Sequence, residues 1–176
     1  GLDDLHSSVA TSKDRVYYKK NNRLWKWEKS GNFILNDSIQ GIVAATEEKV
    51  LFVADTGSGK QLWADDQSIN LDYVVKDIWP NTGSGSVTKQ AVVDDYVYFV
   101  SSDTVNGEVL WVSDGTAENT VSFAELHPGN KLDSIAGIES VGGKLVLVNH
   151  LADGNHQLLF LDPGQGHALT GLEMGA

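Results

Sequence analysis

The chain has no cysteine in its 176 residues, so disulfides and thiolate metal sites are excluded outright. Zero cysteine suits a secreted or surface protein as well as a cytosolic one, and it settles no compartment. Cationic residues are scarce as well. Thirteen Lys and Arg stand against 24 Asp and Glu, a formal net charge of -11. That balance sets the chain against nucleic acid and anionic membrane, whose surfaces draw Lys/Arg clusters and repel carboxylates. No apolar stretch approaches the length of a membrane span, so no membrane insertion is expected. Gly1-Leu2-Asp3-Asp4-Leu5 lacks the cationic region and apolar run of a signal peptide, and Gly1 in place of a start methionine points to a piece of a longer chain. Apolar residues at helical spacing are nearly absent too. Val, Tyr, Trp, Thr and 18 glycines are plentiful instead, which reads as an all-β protein.

The segment Val93 to Phe123 organises the rest. Two apolar runs, Val97 to Val100 and Val109 to Val112, flank a polar Gly-containing loop, and Ser113-Asp114-Gly115-Thr116 leads to a third run at Val121. β-branched and aromatic residues bounded by Asp, Asn and Gly predict three successive antiparallel strands. The layout recurs three more times. A two-residue turn precedes apolar residues starting at Val16, Val50, Val97 and Leu145, with spacings of 34, 47 and 48. An apolar residue followed by an aromatic recurs as Leu24-Trp25, Leu62-Trp63, Leu110-Trp111 and Leu159-Phe160, with spacings of 38, 48 and 49. Two ladders in step define a repeat.

Each repeat divides into four short strands, A to D, and the repeats cover approximately residues 7–40, 41–86, 87–133 and 134–174 of a single domain, 1–176. Four strands in 40 to 50 residues with Trp and Asp-Gly signatures predict a β-propeller of four-stranded antiparallel blades. The period of two places Val16 with Tyr18, Val50 with Phe52, Val97 with Phe99 and Leu145 with Leu147 on one face of each blade. Trp25, Trp63, Trp111 and Phe160 are then expected as equivalent blade-to-blade packing residues. The outer repeats are satisfied by a closed four-bladed ring, by membership of a larger propeller, or by self-association, which hides apolar blade faces from water.

The stretch Gly107-Glu108-Val109-Leu110-Trp111-Val112-Ser113-Asp114-Gly115-Thr116-Ala117-Glu118-Asn119-Thr120, continued by Val121 to Phe123 and Leu126-His127-Pro128-Gly129, resembles the repeat of the ELWxxDGT repeat proteins. The second repeat keeps Gln61-Leu62-Trp63 and Val74 to Pro80, but has Ala64-Asp65-Asp66-Gln67 where the Asp-Gly-Thr turn would stand. Specific similarity covers about Ile42 to Pro163. The resemblance implies a propeller of large secreted or surface-exposed bacterial proteins, often beside adhesive or matrix-associated modules, with no shared catalytic residues. The motif residues are turn formers: Asp114 holds the turn through its side chain and Gly115 supplies a positive φ.

Several constellations invite chemistry. Asp55-Thr56-Gly57-Ser58 matches the catalytic turn of aspartic proteases, but that reaction needs two carboxylates sharing a proton, and no second Asp-Thr-Gly exists. Only a homodimeric single-lobe enzyme fits, and a hairpin loop is the simpler reading. Gly57-Ser58-Gly59-Lys60 fails as a phosphate loop, with Ala54 and Gln61 at the positions of the first glycine and the hydroxyl residue and no helix following. The B-to-C loops carry Asp55, Asp103, Asn106, Asp153 and Asn155, oxygen ligands suited to calcium, without full EF-hand spacing. No other cofactor is implied. His6, His127, His150, His156 and His167 lack metal-ligand spacing, although His150 and His156 flank one loop. Asn36-Asp37-Ser38 is a glycosylation sequon.

The expected function is a noncatalytic binding or scaffold module of a secreted or cell-surface bacterial protein, engaging a protein or carbohydrate ligand, other domains or copies of the same chain. The ligand-binding candidates are B-to-C loop residues: Asp55, Lys60, Asp103, Asn106, Glu108, Asp153, Asn155 and His156. A purely structural propeller segment within a larger assembly is the alternative.

Overall fold

A computed structural model describes residues 9–57, 59–80, 85–104, 107–123, 134–163, 166 and 168–174. Sixteen strands among them form four four-stranded antiparallel sheets, each in simple sequence order. Blade 1 holds β1 (Val9–Ser12), β2 (Arg15–Lys20), β3 (Arg23–Glu28) and β4 (Gly31–Asn36), and blade 2 holds β5 (Ile39–Ala45), β6 (Lys49–Asp55), β7 (Lys60–Asp66) and β8 (Leu71–Lys76). Blade 3 holds β9 (Ser86–Val93), β10 (Tyr96–Asp103), β11 (Gly107–Ser113) and β12 (Val121–Phe123), and blade 4 holds β13 (Ser134–Val141), β14 (Lys144–His150), β15 (His156–Asp162) and β16 (Ala168–Met174). The turns explain why the strands fold back so tightly. Asn21 and Asn22 both take positive φ, 52° and 59°, and Gly142 and Gly143 do so at 59° and 75°. That is the hairpin turn whose twist matches the strands, and Asn and Gly adopt it at least cost.

The chain forms two compact units: residues 1–84 with 115–120, and residues 85–114 with 121–176. In the first, Tyr17 and Leu24 of blade 1 pack with Ile39, Val50, Phe52 and Ala54 of blade 2. In the second, Tyr98, Val100, Leu110 and Val112 of blade 3 pack with Ile135, Ile138, Leu145, Leu147, Leu159 and Leu161 of blade 4. Strand register shows that the two cores are the same construction. Every blade has a leading face, carrying Val16/Tyr18, Val50/Phe52, Val97/Phe99 or Leu145/Leu147, as the period of two predicts. The opposite, trailing face carries Tyr17/Leu24, Leu51/Leu62, Tyr98/Leu110 or Val146/Leu158. Within each unit the trailing face of the first blade packs on the leading face of the second.

The Leu-Trp ladder needs one correction. Leu24, Leu62 and Leu110 are fully buried, while Trp25, Trp63 and Trp111 are half-buried. Each Trp lies on the leading face, stacked on the aromatic of the neighbouring strand, Tyr18, Phe52 or Phe99, with centroids 6.2, 6.3 and 6.4 Å apart, and Trp63 packs against the core between blades 1 and 2 as expected. In blade 4 the residue opposite Leu147 is Leu159, so Leu159 occupies the Trp position and Phe160 lies on the other face, opposite Val146. The second strand and loop have the same length as in blade 3, Phe99 to Trp111 and Leu147 to Leu159, so the aromatic of blade 4 stands one residue beyond the Trp position and therefore on the opposite face.

In the first unit, polar contacts fix the two blades against each other. Ser12 Oγ lies 2.7 Å from the Thr46 carbonyl and 2.6 Å from that of Glu47, and the Tyr17 hydroxyl donates to Asp65 Oδ2 at 2.6 Å. Gly115–Thr120, which follow Asp114 in the motif, also belong to this unit. Tyr73 donates to the Gly115 carbonyl at 2.9 Å, Lys76 Nζ to that of Thr120 at 2.6 Å, and Thr120 Oγ1 to that of Thr116 at 2.6 Å. Gly115 has φ +86°, and a Cβ there would stand 2.7 Å from Lys49 Cδ. The motif is thus a bent strap laid on the trailing face of blade 2.

Candidate ligand-binding loops

The B-to-C hairpins close on defined pairs: Asp55 with Lys60, Asp103 with Gly107, and His150 with His156. In the first, Asp55 Oδ1 accepts the Gly57 amide at 3.0 Å, and Gly57 takes φ +100°. The carboxylate substitutes for a backbone acceptor two residues back, a standard device for starting a turn. Asp153 repeats it, accepting the Asn155 amide at 2.9 Å through Oδ1 and the Asn155 side-chain amide at 3.0 Å through Oδ2. Leu151 and Asn155 close that loop with a backbone bond of 2.9 Å, and Gly154 follows at φ +90°. Lys60 is half-buried at the start of β7, and Asp103 half-buried at the end of β10. The rings of His150 and His156 meet edge to face with centroids 4.3 Å apart. Asn106 lies outside the described residues, as do Ser58, His6, His127 and His167.

Glu108 has a separate assignment. Its Oε1 pairs with Lys89 Nζ at 3.0 Å and its Oε2 accepts the Ile135 amide at 2.8 Å. Ile135, opposite Asn149, holds the same register position as Ile39, opposite Ala54. The Ile39 amide donates to the Asn22 carbonyl at 2.9 Å. At the joint between blades 3 and 4, therefore, a glutamate side chain replaces the backbone carbonyl that holds the joint between blades 1 and 2. No local pattern signals this, because its partners lie 19 and 27 residues away.

A buried hydrogen-bonded pair of ionisable groups, Tyr17 and Asp65, lies in the first unit's core. Asp65 is 1% exposed, and burial raises its pKa above the usual carboxylate value although the Tyr17 hydrogen bond and the charges of Lys26 and Arg15 pull the other way. Burial, with Asp65 beside it, keeps the Tyr17 hydroxyl protonated far above its ordinary range. Asp66, next in sequence, shifts oppositely. Burial raises its pKa, but hydrogen bonds from the Ser68 side chain and amide and the Lys49 charge outweigh it, so the net shift is downward. Sequence reasoning assigned this pair only a lost turn motif. Asp65 is enclosed between blades and bonds Tyr17, so its chemistry is cohesion within the core.

Among the described residues, no three His, Asp or Glu side chains come together to hold a metal ion, and no helix is long and apolar enough to cross a membrane. In the first unit the Asp55 turn closes on Lys60, and in the second the Asp153 turn holds Asn155 beside the His150–His156 pair.

No protein-family profile and no curated protein sequence matches the chain. Among solved structures it is similar to the tricorn protease (TM-score 0.63, 11% identity, over 96% of this chain and 16% of that one). It is similar to the β-propeller domain of the Trilobed protease from Pyrococcus furiosus (0.58, 15%, 96% and 54%). A third is the acylaminoacyl peptidase in complex with Z-Gly-Gly-Phe-chloromethyl ketone (0.59, 13%, 96% and 26%). The chain spans less than two thirds of each. At these identities the likeness concerns fold alone, and with four four-stranded blades in sequence order the fold is a β-propeller.

Proposed function

We propose that this propeller is a noncatalytic binding or scaffold module of a secreted or cell-surface bacterial protein, contacting a protein or carbohydrate ligand through its B-to-C loops. The observation that carries the reading is the use made of the loop carboxylates. Asp55 and Asp153 accept amides of their own turns, which gives preformed hairpins and ties these carboxylates to turn geometry. Preformed loops bind with less ordering cost than mobile ones. The Asp-Gly-Thr strap and its likeness to the ELWxxDGT repeat support the same class of parent protein. Calcium held by the loop oxygens is a separate part of the proposal, checked by calorimetric titration with calcium chloride.

The test is binding to immobilised extracellular-matrix proteins and glycans by the wild type and by Lys60→Ala, Asp153→Ala, Asn155→Ala and His156→Ala. The reading expects at least one surface to retain the wild type and lose it about tenfold with a loop variant that keeps its fold. Binding that ignores all four variants contradicts it. The enzyme alternative makes Asp55→Asn abolish a carboxyl-dependent turnover at acidic pH, and the present reading expects no turnover to lose.

A further inference from the structure

The two joints within the units follow one rule, a trailing face laid on the next blade's leading face. The leading face of blade 1 carries Val9, Val16, Tyr18, Trp25, Trp27 and Ile34 by register. Val9 is 53% exposed, Trp27 47% and Ile34 45%. Tyr18 is half-buried, whereas Phe52, Phe99 and Leu147 at the same register are fully buried. The trailing face of blade 4 carries Val141, Val146, Val148, Leu158 and Phe160. Val141 is exposed and the other four are half-buried, whereas Tyr17, Leu24, Tyr98 and Leu110 on other trailing faces are fully buried. One face is therefore built to receive a trailing face and the other to cover a leading face.

Charge separates them in the same sense. Residues 9–38 hold seven Lys/Arg and three Asp/Glu, a net +4 in a chain of net -11, while residues 134–174 hold one Lys and four Asp/Glu, a net -3. Lys20 and Arg23 stand exposed on the leading face of blade 1, with Arg23 paired to Asp37 at 2.9 Å; on the trailing face of blade 4 Glu139 is exposed and Asp162 half-buried and paired with Lys144 at 3.1 Å. Opposite charge around apolar centres favours this pairing over like faces meeting.

We infer that the leading face of blade 1 docks the trailing face of blade 4 of a second copy of this chain, in the sense that already joins blades 1 to 2 and 3 to 4. The interface is head-to-tail, so each copy offers one donor and one acceptor face. The inference stands apart from the loop-ligand reading, whose variants leave both faces intact.

The test is solution mass, by light scattering and sedimentation equilibrium, for the wild type, Trp27→Glu, Phe160→Asp and an equimolar mixture of the two variants. The wild type is expected to rise with concentration above the single-chain 19.0 kDa, and each variant alone to stay at one chain. The mixture recovers a two-chain species, because one variant keeps the trailing face and the other the leading face. Raising salt from about 50 to about 500 mM lowers the association constant several-fold by screening the charged rims. Should either variant misfold by circular dichroism, Ile34→Glu and Val141→Asp on the same two faces replace them. A wild type that is a single chain at every concentration overturns the inference, as does a mixture that stays at one chain. So does a Trp27→Cys/Phe160→Cys chain that forms its disulfide within one copy.

Discussion

The second strands of blades 2 and 3 are buried at five residues in succession, Val50–Ala54 and Val97–Ser101, but in blade 4 burial alternates and in blade 1 only Tyr17 of β2 is buried. The four strands have nearly the same sequence pattern. A strand buried at successive residues is shielded on both faces, and an alternating one on a single face. Local sequence therefore makes each strand a blade strand, and what covers its two faces sets how much of it leaves water. The difference also separates residues shielded on both faces from residues left half-exposed on one.

The largest expected effect sets equivalent positions against each other. Phe52→Ala and Phe99→Ala should each cost about 3–5 kcal/mol in urea unfolding, the range for truncating a buried aromatic. Tyr18→Ala, at the same register but half-buried, should cost about 1 kcal/mol in dilute protein. Equal losses at the three positions would remove the distinction between shielded and open faces.

Next in size is the buried pair. Asp65→Ala leaves the Tyr17 hydroxyl and the nearby Lys26 without their carboxylate, an expected loss of about 3 kcal/mol. Its pH dependence sharpens the contrast with Asp66. Because the pKa of Asp65 is raised on folding, the folded chain binds that proton more tightly, and the group's contribution is fullest at acid pH and falls as pH rises through the raised value. Asp66 is lowered, so its contribution is present above the ordinary carboxylate value and is lost as pH falls through the folded one. Comparison with Asp65→Asn and Asp66→Asn between about pH 3 and pH 6 should give wild-type increments of opposite slope. Parallel slopes would contradict the assignment.

The two joints differ in how they hold the incoming isoleucine amide, and Glu108→Ala tests this at about 1–3 kcal/mol, the cost of a buried donor left unpaired. Glu108→Gln retains an acceptor and should recover most of that loss. Smallest is Arg23→Ala, which removes the exposed pair with Asp37 and should shift stability by about 0.5 kcal/mol or less.

The strand count, the repeat register and the shared face of Val50 with Phe52 were legible because they depend on period-two patterning and on Asn, Asp and Gly at turns. The Leu-Trp pairs were legible as a ladder, with Trp63 packed between blades 1 and 2, but the fourth rung was misassigned to Phe160, because Leu159 is the residue opposite Leu147. Glu108 read as a loop carboxylate and proved to be a joint, because its partners Lys89 and Ile135 come together only in the folded sheets. The turn carboxylates Asp55 and Asp153 were readable from the glycines that follow them, Gly57 two residues on and Gly154 next in sequence. The Tyr17–Asp65 bond spans 48 residues and leaves no local trace.

Because the chain has no cysteine, a single one placed at Tyr18, Phe52, Phe99 or Leu147 reports its face without interference. The measurement is the rate of maleimide labelling of these four variants in dilute native buffer. The account predicts that Cys at 18 reacts within about tenfold of an unfolded-chain thiol while the other three react at least about a thousandfold slower, limited by opening of the fold. Comparable rates at all four positions, or protection at 18 that persists on dilution, would contradict the claim that blade 1 presents an open leading face.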